Sequence, residues 1–298
     1  WKFEGLLARL AASLHLRTEE LIPNLIRCIS LRILKLRFSK SNKLFLREIC
    51  FPISLYHLEL ELTNEMEIFS PKELYLSGFL KSLSTCINLK LCKIKIELQV
   101  PVSTKHQLSE LILKRLPRNL EKLEDCSNFF FSSPTANYSK LFRKFPKLRK
   151  LLVGIPTEIS LFSHRTIRHE INISELTLGS PLAGELFRYL KFPKLKHLTL
   201  FGVWKLQEFL DLQLELQQLE SLAINLLRGT SLTALGNLVS SMKKIKHLRL
   251  RLSRHAERLT QKWIKSVFPS WLISLELTVG NQCVQKLWRN NYEFMDVK

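Results

Sequence analysis

Eight histidines and six cysteines are the side chains in this sequence best suited to metal or nucleophilic chemistry, and their spacing decides whether they can act together. A helical metal pair needs two ligands one turn apart, at i and i+4. The nearest histidines, His164 and His169, are five residues apart, and His15, His57, His106, His197, His247 and His255 are scattered, so all eight read as surface side chains. Cys28, Cys50, Cys86, Cys92, Cys126 and Cys283 include no C-x-x-C pair. That spacing supports neither a metal site nor a disulfide framework, and it points to a reducing, intracellular setting such as cytoplasm, nucleus or organelle matrix. The N-x-[ST] matches at Asn137 and Asn172 are short enough to arise by chance. No G-x-G-x-x-G, no Gly-Lys-[ST] and no G-x-S-x-G occurs, so the usual phosphate cradles and the serine nucleophile elbow are not encoded. The sequence assigns no catalytic residue, no cofactor and no metal ligand; the expectation is a protein that is not an enzyme.

What remains is charge. Lys and Arg number 46 against 26 Asp and Glu, and 46 − 26 gives +20. Two runs concentrate the excess. Between Lys140 and Lys150 lie six cations and no acid, and between Lys243 and Lys265 lie nine with Glu257 alone opposing them. Such density sets up a local, salt-sensitive potential that attracts polyanions. Trp263, between Lys262 and Lys265, could stack a base, but its helical spacing from Leu259 reads better as a core contact.

These charges need elements to position them. With 298 residues, 46% of them hydrophobic and 24% charged, the chain has material for a core and is unlike a disordered tail. It bounds one elongated domain or at most two compact ones. No stretch approaches the ~18 uninterrupted apolar residues of a membrane span. The first residue is Trp1 rather than Met, which leaves open a preceding segment and a larger parent protein.

One pattern recurs along the chain: an aliphatic residue, then apolar residues three, five and often seven positions later. Copies are Leu31/Leu34/Leu36/Phe38, Leu55/Leu58/Leu60/Leu62, a weaker Leu89/Cys92/Ile94/Ile96, Leu108/Leu111/Leu113 and Leu148/Leu151/Val153/Ile155. They continue as Ile173/Leu176/Leu178, Leu195/Leu198/Leu200, Leu219/Leu222/Ile224/Leu226, Ile245/Leu248/Leu250/Leu252 and Leu272/Leu275/Leu277/Val279. From Leu148 onward the starts are 25, 22, 24, 26 and 27 residues apart. The period of two inside each copy predicts a short strand with leucines on one side and polar residues on the other. Between copies the spacing is helical: Leu21, Leu25 and Cys28 before the first, and Phe79, Leu83 and Cys86 before Leu89. Ser70-Pro71-Lys72-Glu73 reads as a capping box that starts one such helix.

A bulky apolar residue also sits three positions before the opening aliphatic, at Cys28, Cys86, Phe145, Phe192, Leu216 and Met242. Twice it is Phe-Pro, and proline's bias against helix in the residue before it would stop the helix and seat the ring just ahead of the strand. Phe51-Pro52 and Phe268-Pro269 repeat the dipeptide one residue further out.

Together these segments resemble the leucine-rich repeats, whose unit is L-x-x-L-x-L followed by a turn and a helix. Leu21 to Phe38 and Leu235 to Leu252 are most similar to the helix-containing, ribonuclease-inhibitor-like type. The resemblance covers residues 20 to 280 and implies an α/β solenoid, a horseshoe with a parallel sheet on its concave side and helices on its convex side. Residues 1–298 would then form a single domain of about ten repeats, irregular over 116–147, with 281–298 as a C-terminal cap or tail. The sequence departs from the family in lacking most of the Asn or Cys residues that close the strand turn. It also departs in two long gaps, from Leu55 to Leu89 and from Leu108 to Leu148; the second holds either an insertion or a degenerate repeat beginning at Leu120/Leu123.

Strand alternation then selects the side chains of the open sheet surface: Lys35, Arg37, Lys93, Lys95, Lys114, Arg149, Lys150, Lys196, Arg249 and Arg251, with Glu59, Glu61, Glu97, Glu110, Glu175, Glu220 and Glu276 as the acids. The surface should be basic at both ends. These ten cations are the expected partner-binding residues of a non-catalytic interaction or scaffold protein, a subunit of a larger assembly. Its partner would be an acidic protein surface. Two alternatives stand beside this reading. One is an RNA-associated subunit of a ribonucleoprotein such as an organellar ribosome, where +20 would offset phosphate charge. The other is the ligand-sensing repeat region of an intracellular immune receptor, suggested by the Phe-Pro-Lys-Leu starts at 145 and 192.

Overall fold

The computed structural model describes residues 29–38, 49–62, 77–97, 102–126, 138–153, 169–179, 187, 190–204, 207, 209, 217–226, 232–252, 268, 271–279 and 282–288. The chain divides into two compact units, Trp1–Ser163 and His164–Lys298.

In the first unit, strands β1 (Ile33–Phe38), β2 (His57–Leu62), β3 (Leu91–Ile96), β4 (Lys122–Asp125) and β5 (Lys150–Val153) lie side by side in chain order, all parallel. Helices α1 (Ser77–Thr85), α2 (Val102–Arg115) and α3 (Tyr138–Lys144) each precede a strand. Parallel neighbours require such crossovers, because a tight turn cannot return the chain to the same end of the sheet. The pairing keeps equivalent repeat positions opposite one another: Leu34 faces Leu58 and Leu58 faces Cys92, while Lys35 faces Glu59 and Glu59 faces Lys93.

In the second unit, β7 (Glu175–Gly179), β9 (His197–Trp204), β10 (Ser221–Leu226), β11 (His247–Leu252) and β12 (Ser274–Val279) are parallel in that order, and α4 (Leu232–Ser241) leads into β11. Strand β13 (Gln282–Trp288) turns back antiparallel along β12 and covers its edge. A short second sheet pairs β6 (His169–Glu170) with β8 (Leu190–Lys191). Strand β9 carries a bulge. Ile224 pairs with Leu200 and Leu226 with Trp204, so three residues oppose Asn225, and Gly202 takes the positive φ of 81° that a side chain would disfavour.

The alternation predicted from sequence is the alternation of burial. Leu58, Leu60, Cys92, Ile94, Leu198, Leu200, Leu248 and Leu250 are buried, while the residues between them face outward. Phe79, Leu83 and Cys86 are buried along and just after α1, as their helical spacing implies. The bulky residue before each strand has a structural reason. Its carbonyl accepts a hydrogen bond from the amide of the opening aliphatic three residues on: Cys86 from Leu89, Phe145 from Leu148, Phe192 from Leu195 and Met242 from Ile245. These copies therefore enter their strands through the same tight turn, which points the bulky side chain inward. Pro52 and Pro117 hold that place before Leu55 and Leu120. Phe51 instead packs edge to face on Phe79, centroids 5.8 Å apart, and its amide donates to the Ser82 hydroxyl of α1.

Neighbouring copies are joined by a second repeated device. The carbonyl of the residue just before each strand accepts two amides from the next copy: Tyr56 and His57 donate to Arg32, Lys90 and Leu91 to Tyr56, Glu121 and Lys122 to Lys90. In the second unit Glu220 and Ser221 donate to Lys196, and Lys246 and His247 to Glu220.

One expectation is corrected. Leu108/Leu111/Leu113 is not a strand but part of α2. Leu108, Ile112 and Leu116 are buried at intervals of four, the spacing of one helical face, and Leu111 is exposed. The strand of this copy opens at Leu120/Leu123, the degenerate option, with buried Asp125 where other copies carry Leu, Ile or Val. The spacings on either side of this copy accordingly become 120 − 89 = 31 and 148 − 120 = 28 residues, while Leu55 to Leu89 keeps its 89 − 55 = 34. The capping box at Ser70, and Cys28, Asn137, His164, Leu216 and Trp263, lie outside the described residues. Among those described, no helix is long and apolar enough to cross a membrane.

Candidate functional site

Outward-facing strand residues in register bring unlike charges together. Lys35 Nζ lies 2.8 Å from Glu59 Oε1 across β1 and β2, and Lys95 Nζ lies 3.0 Å from Glu61 Oε1 across β2 and β3, with Glu97 at 3.3 Å. Lys122 and Glu124, two apart in β4 and so on one face, are 2.5 Å apart. In the second unit Arg249 Nε donates to Glu276 at 2.8 Å across β11 and β12, and His247 Nδ1 lies 2.8 Å from the Ser274 hydroxyl. Directly opposed unlike charges contribute ~0.2–1 kcal/mol each when exposed, so these ladders align the strands more than they hold the fold.

A second row runs through the residues immediately before the strands. Lys90 pairs with Glu121 at 2.8 Å and lies over the Tyr56 ring, 5.8 Å from its centroid. Glu220 accepts from Lys196 at 2.8 Å and from Lys246 at 3.0 Å. Hydrogen bonds first from Lys196 and then from Lys246 hold the Glu220 carboxyl down at about 2. Glu59 is also held below the usual carboxylate range: burial pushes it up, but the hydrogen bond and charge of Lys35, with Lys93, outweigh that. Burial pushes the His57 imidazole down, more than neighbouring Glu59 raises it.

The expected binding residues thus fall into different settings. Lys35, Lys95, Lys196 and Arg249 are engaged with acids of a neighbouring strand or turn. Lys93 is half-buried, with Glu59 and Glu124 opposite it in register. Lys150 and Arg251 are exposed on their strands, and Arg149 is exposed just before β5. Arg37 faces Glu61 in the register, but its side chain lies outside the described residues. Lys114 is corrected: with Glu110 it belongs to helix α2, not to the sheet surface, because the copy that placed it there is helical.

Sequence reasoning missed the edge where helices end and strands begin. In the first unit it exposes Lys114, Arg115, Arg118, Arg143, Lys147 and Arg149; in the second, Lys191, Lys194, Lys196, Lys243, Lys244 and Lys246. The two basic runs had marked part of it. Its coherence is not visible until the turns of successive copies are set side by side. Among the described residues no group of three or more His, Cys, Asp or Glu could hold a metal ion. Burial pushes the Cys86 thiol up to about 12 and raises Cys92 further, which suits core packing and opposes nucleophilic use.

No family model matches the chain, and comparison with curated proteins gives no match.

Proposed function

We propose that this chain is a non-catalytic interaction module of leucine-rich-repeat type, ribonuclease-inhibitor-like, whose sheet surface and basic edge bind an acidic macromolecular partner in a reducing compartment. The carrying observation is the in-register row of outward side chains on consecutive parallel strands, Lys35, Glu59, Lys93 and Glu124, above a layer of buried leucines. Such a surface is held by the repeat core rather than by the partner, so binding orders little that was loose. Its charges already pair with one another, and a partner must offer carboxylates or phosphates that compete for those lysines. The chain would serve as a subunit or scaffold.

An RNA-associated subunit is the second reading. It is favoured by the exposed Lys243, Lys244 and Lys246 leading into β11 and by Trp271, 48% exposed, leading into the adjacent strand β12.

One binding series tests both. Full-length protein is titrated against labelled polyglutamate and against single-stranded oligouridylate from low to high salt. An interaction module for acidic partners binds polyglutamate, and binding weakens with salt. Preferential binding of the RNA, with a steep salt slope and loss on Trp271→Ala, moves the conclusion to the second reading. No binding of either at low salt rejects both.

A further inference from the structure

In the first unit the tight turn before each strand exposes its second residue. Three consecutive copies place isoleucine there: Ile29, Ile53 and Ile87, which are 84%, 60% and 57% exposed. Hydrogen bonds set these turns side by side. The Ser54 hydroxyl donates to the Leu31 carbonyl, the Asn88 amide to that of Ile53 and the Asn119 amide to that of Ile87. The turn itself does not require isoleucine, because other copies have Arg118, Pro146, Pro193, Gln217 and Lys243 at the same position. Three aliphatic side chains left in water in one row cost solvation that any polar residue would avoid.

The row does not end in neutral surface. Its next member is Arg118, exposed, and beside it the last turn of α2 presents Lys114 and Arg115. The half-buried Lys144 amine, at the end of α3, donates to the Leu113 carbonyl. Burial, and then the charges of Arg118, Arg115 and Lys114, push that amine down to about 8. The cluster is crowded with cations and would be relieved by carboxylates.

Spacing selects the occupant. Parallel strands are ~4.8 Å apart, so three successive turns span ~10 Å. Two turns of an α-helix span ~11 Å, which matches apolar side chains at i, i+3 or i+4, and i+7. Nucleic acid fits poorly here, since isoleucine offers no plane for a base to stack on.

We infer that the turns of Ile29, Ile53 and Ile87, continued by Arg118 and the end of α2, form a docking site for an amphipathic helix of a partner protein, with aliphatic residues on the ridge and acidic residues in the following turn. This deepens the interaction reading and rests on it, but it moves the principal contact from the strand surface to the helix-to-strand edge.

The probe is a lactam-stapled, fluorescent helical peptide with leucines at i, i+3 and i+7 and glutamates at i+10, i+11 and i+14. Its controls are a composition-matched scramble and a version with lysines in place of the glutamates. The full chain should bind the first at least tenfold more tightly than either control. Ile53→Ser/Ile87→Ser should weaken that binding at least tenfold with an unchanged melting temperature, as befits exposed positions, and Arg118→Glu should weaken it most at low salt. Lys95→Glu and Arg249→Glu, on the strand surface, should leave it intact. The inference is overturned if the scramble binds equally, if the isoleucine variants bind as the parent does, or if only the strand-surface variants lose binding. It is overturned too if the isoleucine variants instead abolish a concentration-dependent dimer seen by sedimentation. Polyglutamate binding that persists through any of these outcomes leaves the general reading standing; its absence at low salt removes both.

Discussion

Arg249 and Glu276 face each other in the register of β11 and β12, and the guanidinium Nε donates to the carboxylate at 2.8 Å. A cation expected to await a partner is therefore already engaged by the next repeat. Arg249 is largely exposed, so the pair is worth no more than ~0.2–1 kcal/mol. Arg249→Ala should lower stability by at most that amount in denaturant unfolding. The swap Arg249→Glu with Glu276→Arg should recover most of the loss, and a double-mutant cycle with no coupling would show the pair to be incidental.

Among the described residues Glu220 is the carboxylate held furthest below its ordinary value, at about 2, by Lys196 and Lys246. Its ordinary value is 4.5, so the folded state holds the charged form more tightly than the unfolded chain does. The resulting stabilisation is whole above 4.5 and is lost as pH falls through about 2. Melting temperatures of the parent and Glu220→Gln should differ at neutral pH and converge in acid, and the difference should shrink at high salt because both lysines are exposed. A constant gap across pH would remove Glu220 as its source.

Thiol chemistry should separate the cysteines. Cys50 is exposed, whereas Cys86 and Cys92 are buried and their thiols are pushed well above the ordinary value of 9. At pH near 8, maleimide with mass-spectrometric mapping should modify Cys50 quickly and reach Cys86 and Cys92 only in denaturant. Rapid native labelling of Cys92 would contradict its placement in β3.

Leu60 and Leu36 occupy the same repeat position and face each other across β2 and β1, but Leu60 is buried and Leu36 only half-buried. Leu60→Ala should cost ~2–5 kcal/mol, the range for a fully packed leucine, and Leu36→Ala clearly less. Equal losses in urea unfolding would mean that the two sites are equally enclosed.

The leucine spacing alone specified short strands with one greasy side, because a period of two leaves no other way to bury every second residue, whereas their parallel pairing was only what the resemblance implied. It also marked the turn into each strand, since Cys86, Phe145, Phe192 and Met242 recur three residues ahead of the aliphatic. It misread Leu108 to Leu113, where the strand pattern and a helical face coincide over six residues and only the burial of Ile112 and Leu116 tells them apart. Tertiary structure alone decided which charges meet. Lys95 and Glu61 are 34 residues apart, and Lys246 and Glu220 are 26 apart, distances over which sequence carries no register. The same holds for the row of Ile29, Ile53 and Ile87: each is an unremarkable residue in its own loop, and they become a surface only because parallel stacking sets equivalent turns beside one another.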